Sequence, residues 1–233
     1  NLYLIAGEFD KAEETYNLIG SNPNDKTIAL NGLALVKHLK GKEKEALNFG
    51  EQAYNTLPDL QDAAVIKQTK ERYIQALIWN KKYKDAKALI DKLIEQEPNE
   101  NWILALRATL NIYKSDFNKS VEDYNRILVN DSSSFDGNLG KANALKALGY
   151  YDDAYQSANN TLSFYEKQKD AANFIKTLNT SFTPFLETKG SYTFDNGDNE
   201  AFSVQTSLEF PTSTKFKWLA SYSYRNTSNS VTN

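Results

Sequence analysis

Residues 105–128 read ALRATLNIYKSDFNKSVEDYNRIL, and residues 139–162 read LGKANALKALGYYDDAYQSANNTL. The second stretch repeats the first at an offset of 34 residues: Ala108 aligns with Ala142, Phe117 with Tyr151 and Ser120 with Ala154. Each half carries apolar residues at helical spacing, a break near its middle, then a second helical run. A small residue in the first run lets the two helices approach. Gly149 ends one helix, and an aromatic plus a small residue open the next. The unit is a helix–turn–helix hairpin that stacks on its copies.

Outward from this stretch, the small residue that opens each second helix falls at Ala12, Ala46, Ala86, Ser120 and Ala154. The spacings are 34, 40, 34 and 34. Repeat one keeps only the end of its first helix (Leu2 to Ala6), followed by Gly7, Phe9, Ala12 and Tyr16, with Pro23 closing it. Repeat two is expected to run Ile28 to Leu39, break at Gly41 and continue from Ala46 to Leu57 before Pro58. Repeat three carries the six-residue excess as a longer first helix from about Asp62 to Trp79, and its second helix ends at Pro98. Proline stops a helix at both places because it lacks the N–H and clashes with the preceding turn. Phe164 to Leu178 reads as a helix capping the last repeat.

The period then changes to two. Leu186, Thr188, Gly190, Tyr192 and Phe194 alternate with polar residues, as do Phe202, Val204, Thr206, Leu208 and Phe210, and then Phe216, Trp218, Ala220, Tyr222 and Tyr224. Three amphipathic strands are expected, joined by Asp195–Glu200 and by a turn at Pro211–Thr214, with Asn226–Asn233 as a polar loop. Strands of about 9–11 residues with aromatics near their ends suit a tilted span of a bilayer. A small antiparallel sheet packed on a partner fits the same alternation. The division expected is 1–163 repeats, 164–183 capping helix and linker, and 184–233 strands.

The 34-residue unit resembles the tetratricopeptide repeat, which implies an α-solenoid, a right-handed superhelix of helical hairpins. The fold class expected is therefore mainly α, with a short antiparallel β segment that opens an outer-membrane β-barrel. The order of domains resembles the repeat-plus-barrel proteins of Gram-negative outer membranes, such as exopolysaccharide exporters. That resemblance implies a periplasmic scaffold that binds a protein or a polysaccharide. A protein–protein interaction adaptor with a small β domain is the alternative, and a cytoplasmic location goes with it. The chain starts without methionine and inside a repeat, so it reads as a piece of a longer protein with further strands beyond Asn233.

Composition narrows the classes. A net charge of −3 gives no field for nucleic acid, and no lysine run suggests a membrane-surface patch. Cysteine is absent, which removes disulfides, thiol catalysis and thiolate metal sites. The single histidine, His38, has no second histidine with which to ligate a metal or build a triad. The acidic pairs Glu13–Glu14 and Asp152–Asp153 sit where helices start and favour the dipole there. DNGDNE at 195–200 lacks the downstream glutamate of a calcium loop. No enzyme, cofactor or metal is expected, and the oligomeric state is open.

The resemblance implies a concave groove lined by the first helix of each repeat. Mapped onto this chain, its candidate ligand-binding residues are Asn31 and His38, then Gln75 and Trp79 (with Glu71), then Trp102, Thr109 and Tyr113, then Asn143 and Lys146 (with Asp136). Amides can bond a peptide backbone or sugar hydroxyls, and flat rings can hold a pyranose face or an apolar side chain. Trp79 and Trp102 fit packing between repeats equally well.

Overall fold

The computed structural model of the chain describes residues 2–212 and 216–229. It packs as two compact units, 1–132 and 133–233.

The first unit holds α1 (Leu2–Ile5), α2 (Phe9–Ile19), α3 (Lys26–Leu39), α4 (Glu43–Tyr54), α5 (Ala63–Trp79), α6 (Tyr83–Gln96), α7 (Asn101–Tyr113) and α8 (Phe117–Asn130). Helices pack on their chain neighbours, and α3 also packs on α5 and α5 on α7, so the first helices of repeats two to four form one row. The small residues sit where the hairpins close: Ala12, Ala46, Ala86 and Ser120 are all buried. Ser120 satisfies its hydroxyl by donating to the Ala108 carbonyl at 2.9 Å. Ile74, Ile78, Ile90 and Ile103 are the largest residues of the adjoining core.

One turn recurs in every hairpin. Gly7, Gly41, Lys81, Ser115 and Gly149 all take positive φ, between 60° and 86°. The residue after each one donates its N–H five residues back, as in Lys42 to the Lys37 carbonyl at 2.8 Å and Asp116 to the Asn111 carbonyl at 2.8 Å. This is the Schellman closure, which satisfies the carbonyls that a helix end leaves open. Lys81 and Ser115 adopt it without glycine, against a steric cost of about 1–2 kcal/mol.

Only part of the six-residue excess of repeat three is the expected longer helix: α5 has 17 residues against 13 in α7, and the longer connection 55–62 carries the rest. Asp62 caps α5 by accepting from the Ala64 and Val65 amides at 2.8 and 3.2 Å. Two details differ from the sequence reading. α4 ends at Tyr54, and Pro58 lies in a single 3-10 turn, Leu57–Asp59, that bridges to α5. Pro23 starts an equivalent turn, Pro23–Asp25, where Asn22 caps the first free amide.

Charged groups within this unit largely answer one another. Lys37, nearly buried, bridges Glu13 and Glu45 at 2.7 and 2.8 Å, and Lys40 reaches Asp10 and Glu13. Hydrogen bonds from the two lysines hold the Glu13 carboxyl at about 2, well below its ordinary 4.5. On α7 and α8, Arg107 Nε donates to both carboxylate oxygens of Asp123, at 3.1 and 2.9 Å.

The second unit holds α9 (Phe135–Leu148), α10 (Tyr151–Phe164), α11 (Lys169–Phe182), β1 (Phe185–Phe194), β2 (Asn199–Pro211) and β3 (Lys217–Asn229). Ala142 and Ala154 are buried where α9 and α10 close, like their counterparts in the first unit. The expected capping helix over Phe164–Leu178 is displaced. α10 takes Phe164, the chain turns through 165–168, and α11 begins at Lys169. The Gln168 side chain supplies the new start by accepting from the Asp170 amide.

The sheet is antiparallel in the order β1-β2-β3 and is open among the described residues, where β1 and β3 do not pair to close a barrel. β3 extends further than expected: Asn226–Asn229, read as loop, pair with Asn199–Phe202 and complete the ladder. Of the expected turn Pro211–Thr214, Pro211 ends β2, and residues 213 and 214 lie outside the described residues. The register puts Leu186, Tyr192 and Phe194 on one face with Phe202, Leu208, Phe210, Trp218, Tyr222 and Tyr224. Its large side chains are exposed, with Phe194 at 78% and Trp218 at 73%, while Val204 and Thr206 between them are half-buried. The other face carries polar pairs, among them Ser191–Ser203 at 2.6 Å and Lys217–Glu209 at 2.7 Å.

Candidate functional site

The long α5 shapes one open surface of the first unit. Its opening turns and the start of α3 border a trough of about 450 Å³. Ile28, Ala64 and Val65 give it an apolar floor, and Lys67, Gln68 and Glu71 give it a polar rim. Next to it, the Lys67 ammonium lies over the Trp102 ring of α7 at 5.6 Å, within cation–π range. One turn further along α5, Arg72 donates to Gln75 Oε1 at 2.8 Å, and its centre lies 5.9 Å from the Trp79 ring. Arg72 Nε is buried without a hydrogen-bond partner, and burial pulls the guanidinium below its usual value.

The groove residues read from the sequence divide into three sets. Asn31 is a correction: it is 1% exposed and donates to Thr69 Oγ1 at 2.8 Å, so it joins α3 to α5 from inside. The position repeats at helix spacing, but its burial depends on which neighbour Thr69 brings across.

His38 and Trp79 meet each other. Their rings stack 3.7 Å apart at 1°, and His38 Nδ1 bonds the Glu43 carboxylate at 2.9 Å. Asn80 ties the same corner by donating to the Glu43 carbonyl at 2.6 Å. Both rings are therefore engaged in packing between repeats two and three. Tyr113 belongs to this corner too: burial, then the neighbouring Glu43 carboxylate, raises its phenol above the ordinary value.

Gln75, Trp102 and Thr109 remain half-buried on α5 and α7. Trp102 leans on the core cluster with one face and takes Lys67 on its ring. In the second unit Asn143 is exposed and donates to the Leu139 carbonyl, and Lys146 lies 4.8 Å from the centre of the Phe174 ring of α11. Asp136 is exposed at the start of α9. The trough residues Ile28, Val65, Lys67 and Gln68 were missed by counting positions within a 34-residue frame. The signal that could have found them was the extra length of repeat three itself. Among the described residues no cluster of three His, Asp or Glu side chains could hold a metal. No helix there is long and apolar enough to cross a membrane.

Among solved structures, the thermophilic TPR protein TTC0263 of Thermus thermophilus superposes with a TM-score of 0.62, at 16% identity over 76% of this chain and 93% of that one. The fold is the tetratricopeptide repeat fold. A tetratricopeptide repeat protein of Parabacteroides merdae is also similar, at TM-score 0.48, 19% identity, and 76% and 68% coverage. So is YrrB, described as a TPR protein with an unusual peptide-binding site, at TM-score 0.44, 14% identity, and 76% and 88% coverage. No protein-family model and no curated protein matches the chain. In tetratricopeptide terms, the trough is a local departure: repeat three spans 40 residues, and its first helix supplies most of the surface.

Proposed function

We propose that this chain is a non-catalytic binding scaffold whose tetratricopeptide repeats hold an extended segment of a protein partner in the trough between α3 and α5. The observation that carries the reading is the trough itself. An apolar floor of Ile28 and Val65 accepts a side chain, while Gln68 and Lys67 can bond the partner's backbone carbonyls. A photoreactive side chain placed at Val65 tests this by what it captures, with the exposed Ala88 of α6 as the control position.

A second reading concerns the sheet and is favoured by its exposed aromatic face. Tyr192, Phe194 and Phe202 gather toward one end of the strands and Phe210 and Trp218 toward the other, and the rows between mix Thr188, Val204, Thr206 and Ala220 with Tyr222 and Tyr224. Facing hydrocarbon, with the serine-rich face toward a lumen, such a sheet would be part of an outer-membrane barrel, and the repeats would then lie in the periplasm. In that setting the trough could serve a polysaccharide in place of a peptide. In cell fractions, an outer-membrane band whose mobility shifts on boiling supports this reading. Recovery in the aqueous fraction without a shift would sink it and leave the adaptor.

A further inference from the structure

On the opposite side of α5 from its contact with α3, a second cavity has a cause in the sequence. The close-approach position of the first helix is alanine in three repeats (Ala34, Ala108 and Ala142), each in register at the spacings above. In repeat three it is Ile74. A branched side chain there holds the helices apart, and α5 and α6 approach each other less closely than α3 and α4 or α7 and α8. The space left between them, closed on a third side by the end of α4, is a cleft of about 210 Å³.

The lining of the cleft is divided by chemistry. Ile74, Leu89, Leu93 and Tyr54 form an apolar floor, with the Tyr54 ring fixed against Tyr73 at 4.5 Å. Lys70, Lys92 and Gln96 supply its polar groups. Neither lysine takes part in an ion pair among the described residues, so both ammonium groups are available to a ligand. Two cations beside a small apolar hollow, with no acid paired to either, are complementary to an amphiphile with a negative head. The volume equals about seven waters, room for one flexible tail and too little for a helix.

We propose that this cleft binds a small monocarboxylate with an unbranched apolar tail, the tail on Leu89, Leu93 and the Tyr54 ring and the carboxylate at Lys70 and Lys92. The site is separate from the trough, and neither depends on the other. The test is an NMR titration of the full chain with octanoate, read on the amides of residues 70–74 and 89–96, with octylammonium as the charge-reversed probe and octanol as the neutral one. Octanoate should bind saturably there and roughly tenfold or more tighter than either probe, since each lysine adds a charge-assisted hydrogen bond. The Lys70→Gln/Lys92→Gln variant should lose that tenfold preference while unfolding at the same temperature as the parent without ligand. Leu89→Trp should block binding by filling the floor. Absence of saturable shifts at these residues overturns the proposal. So does equal affinity for octanol, or an unchanged octanoate affinity in the lysine variant.

Discussion

Replacing Gly32 with valine is expected to destabilise the first unit by ~3 kcal/mol, the upper range for overpacking a fitted interface. A Cβ built at Gly32 on α3 would lie 2.2 Å from Tyr16 Cε1 and 2.4 Å from Cδ1 and Cζ. The α2 ring occupies the space that a side chain would need. Glycine inside a helix ordinarily costs about 1 kcal/mol relative to alanine, so propensity alone predicts that substitution would help. The contact with Tyr16 reverses the sign. Urea denaturation of Gly32→Val, Tyr16→Ala and the double variant separates the terms. Because removing the ring removes the clash, the double variant should lose clearly less than the sum of the singles. Additive losses would show that the ring and Gly32 do not compete for that space.

Asp123→Ala is expected to cost about 3 kcal/mol, at the low end for breaking a buried ion pair. The Asp123 side chain is 6% exposed and accepts a two-pronged contact from Arg107, whose own side chain is 29% exposed. Removing the acid strands a guanidinium that has only partial access to water. Asp123→Asn keeps one acceptor and should cost less. Replacing both partners with Arg107→Met and Asp123→Leu should return most of the loss, since a pair of well-packed apolar groups needs no solvation. Denaturant midpoints at neutral pH decide the matter. A loss under about 1 kcal/mol for Asp123→Ala would mean that the pair behaves as a surface contact.

The repeat was legible because its markers are steric and local. Ala12, Ala46, Ala86, Ser120 and Ala154 must be small for the hairpins to close, and their spacing survives without any knowledge of neighbours. Asp62 marked the start of α5 for the same reason, a side-chain acceptor placed just before a helix. Positive φ at Gly7, Gly41 and Gly149 could also be read, but not the same turn at Lys81 and Ser115, where hydrogen bonding of the helix end overrides residue preference.

What remained hidden depends on partners distant in sequence. Asn31 stands at a groove position of the repeat but is buried against Thr69, and of the two readings open for Trp79 the stack on His38 selects packing between repeats. β3 ran on to Asn229 because β2 offered partners, although its last residues have no strand pattern of their own. Ile74 is the instructive case. It fits helical periodicity without remark, and only as the one large residue in an alanine column does it account for a cleft.

The binding claim is tested most directly by photocrosslinking from Val65 in the native cell, followed by mass mapping of whatever is captured. A protein partner held in the trough predicts one dominant adduct, joined through a single extended segment of that partner and absent when the photoreactive group sits at Ala88. Equal capture at both positions, or adducts scattered over many proteins, would contradict a dedicated site between α3 and α5.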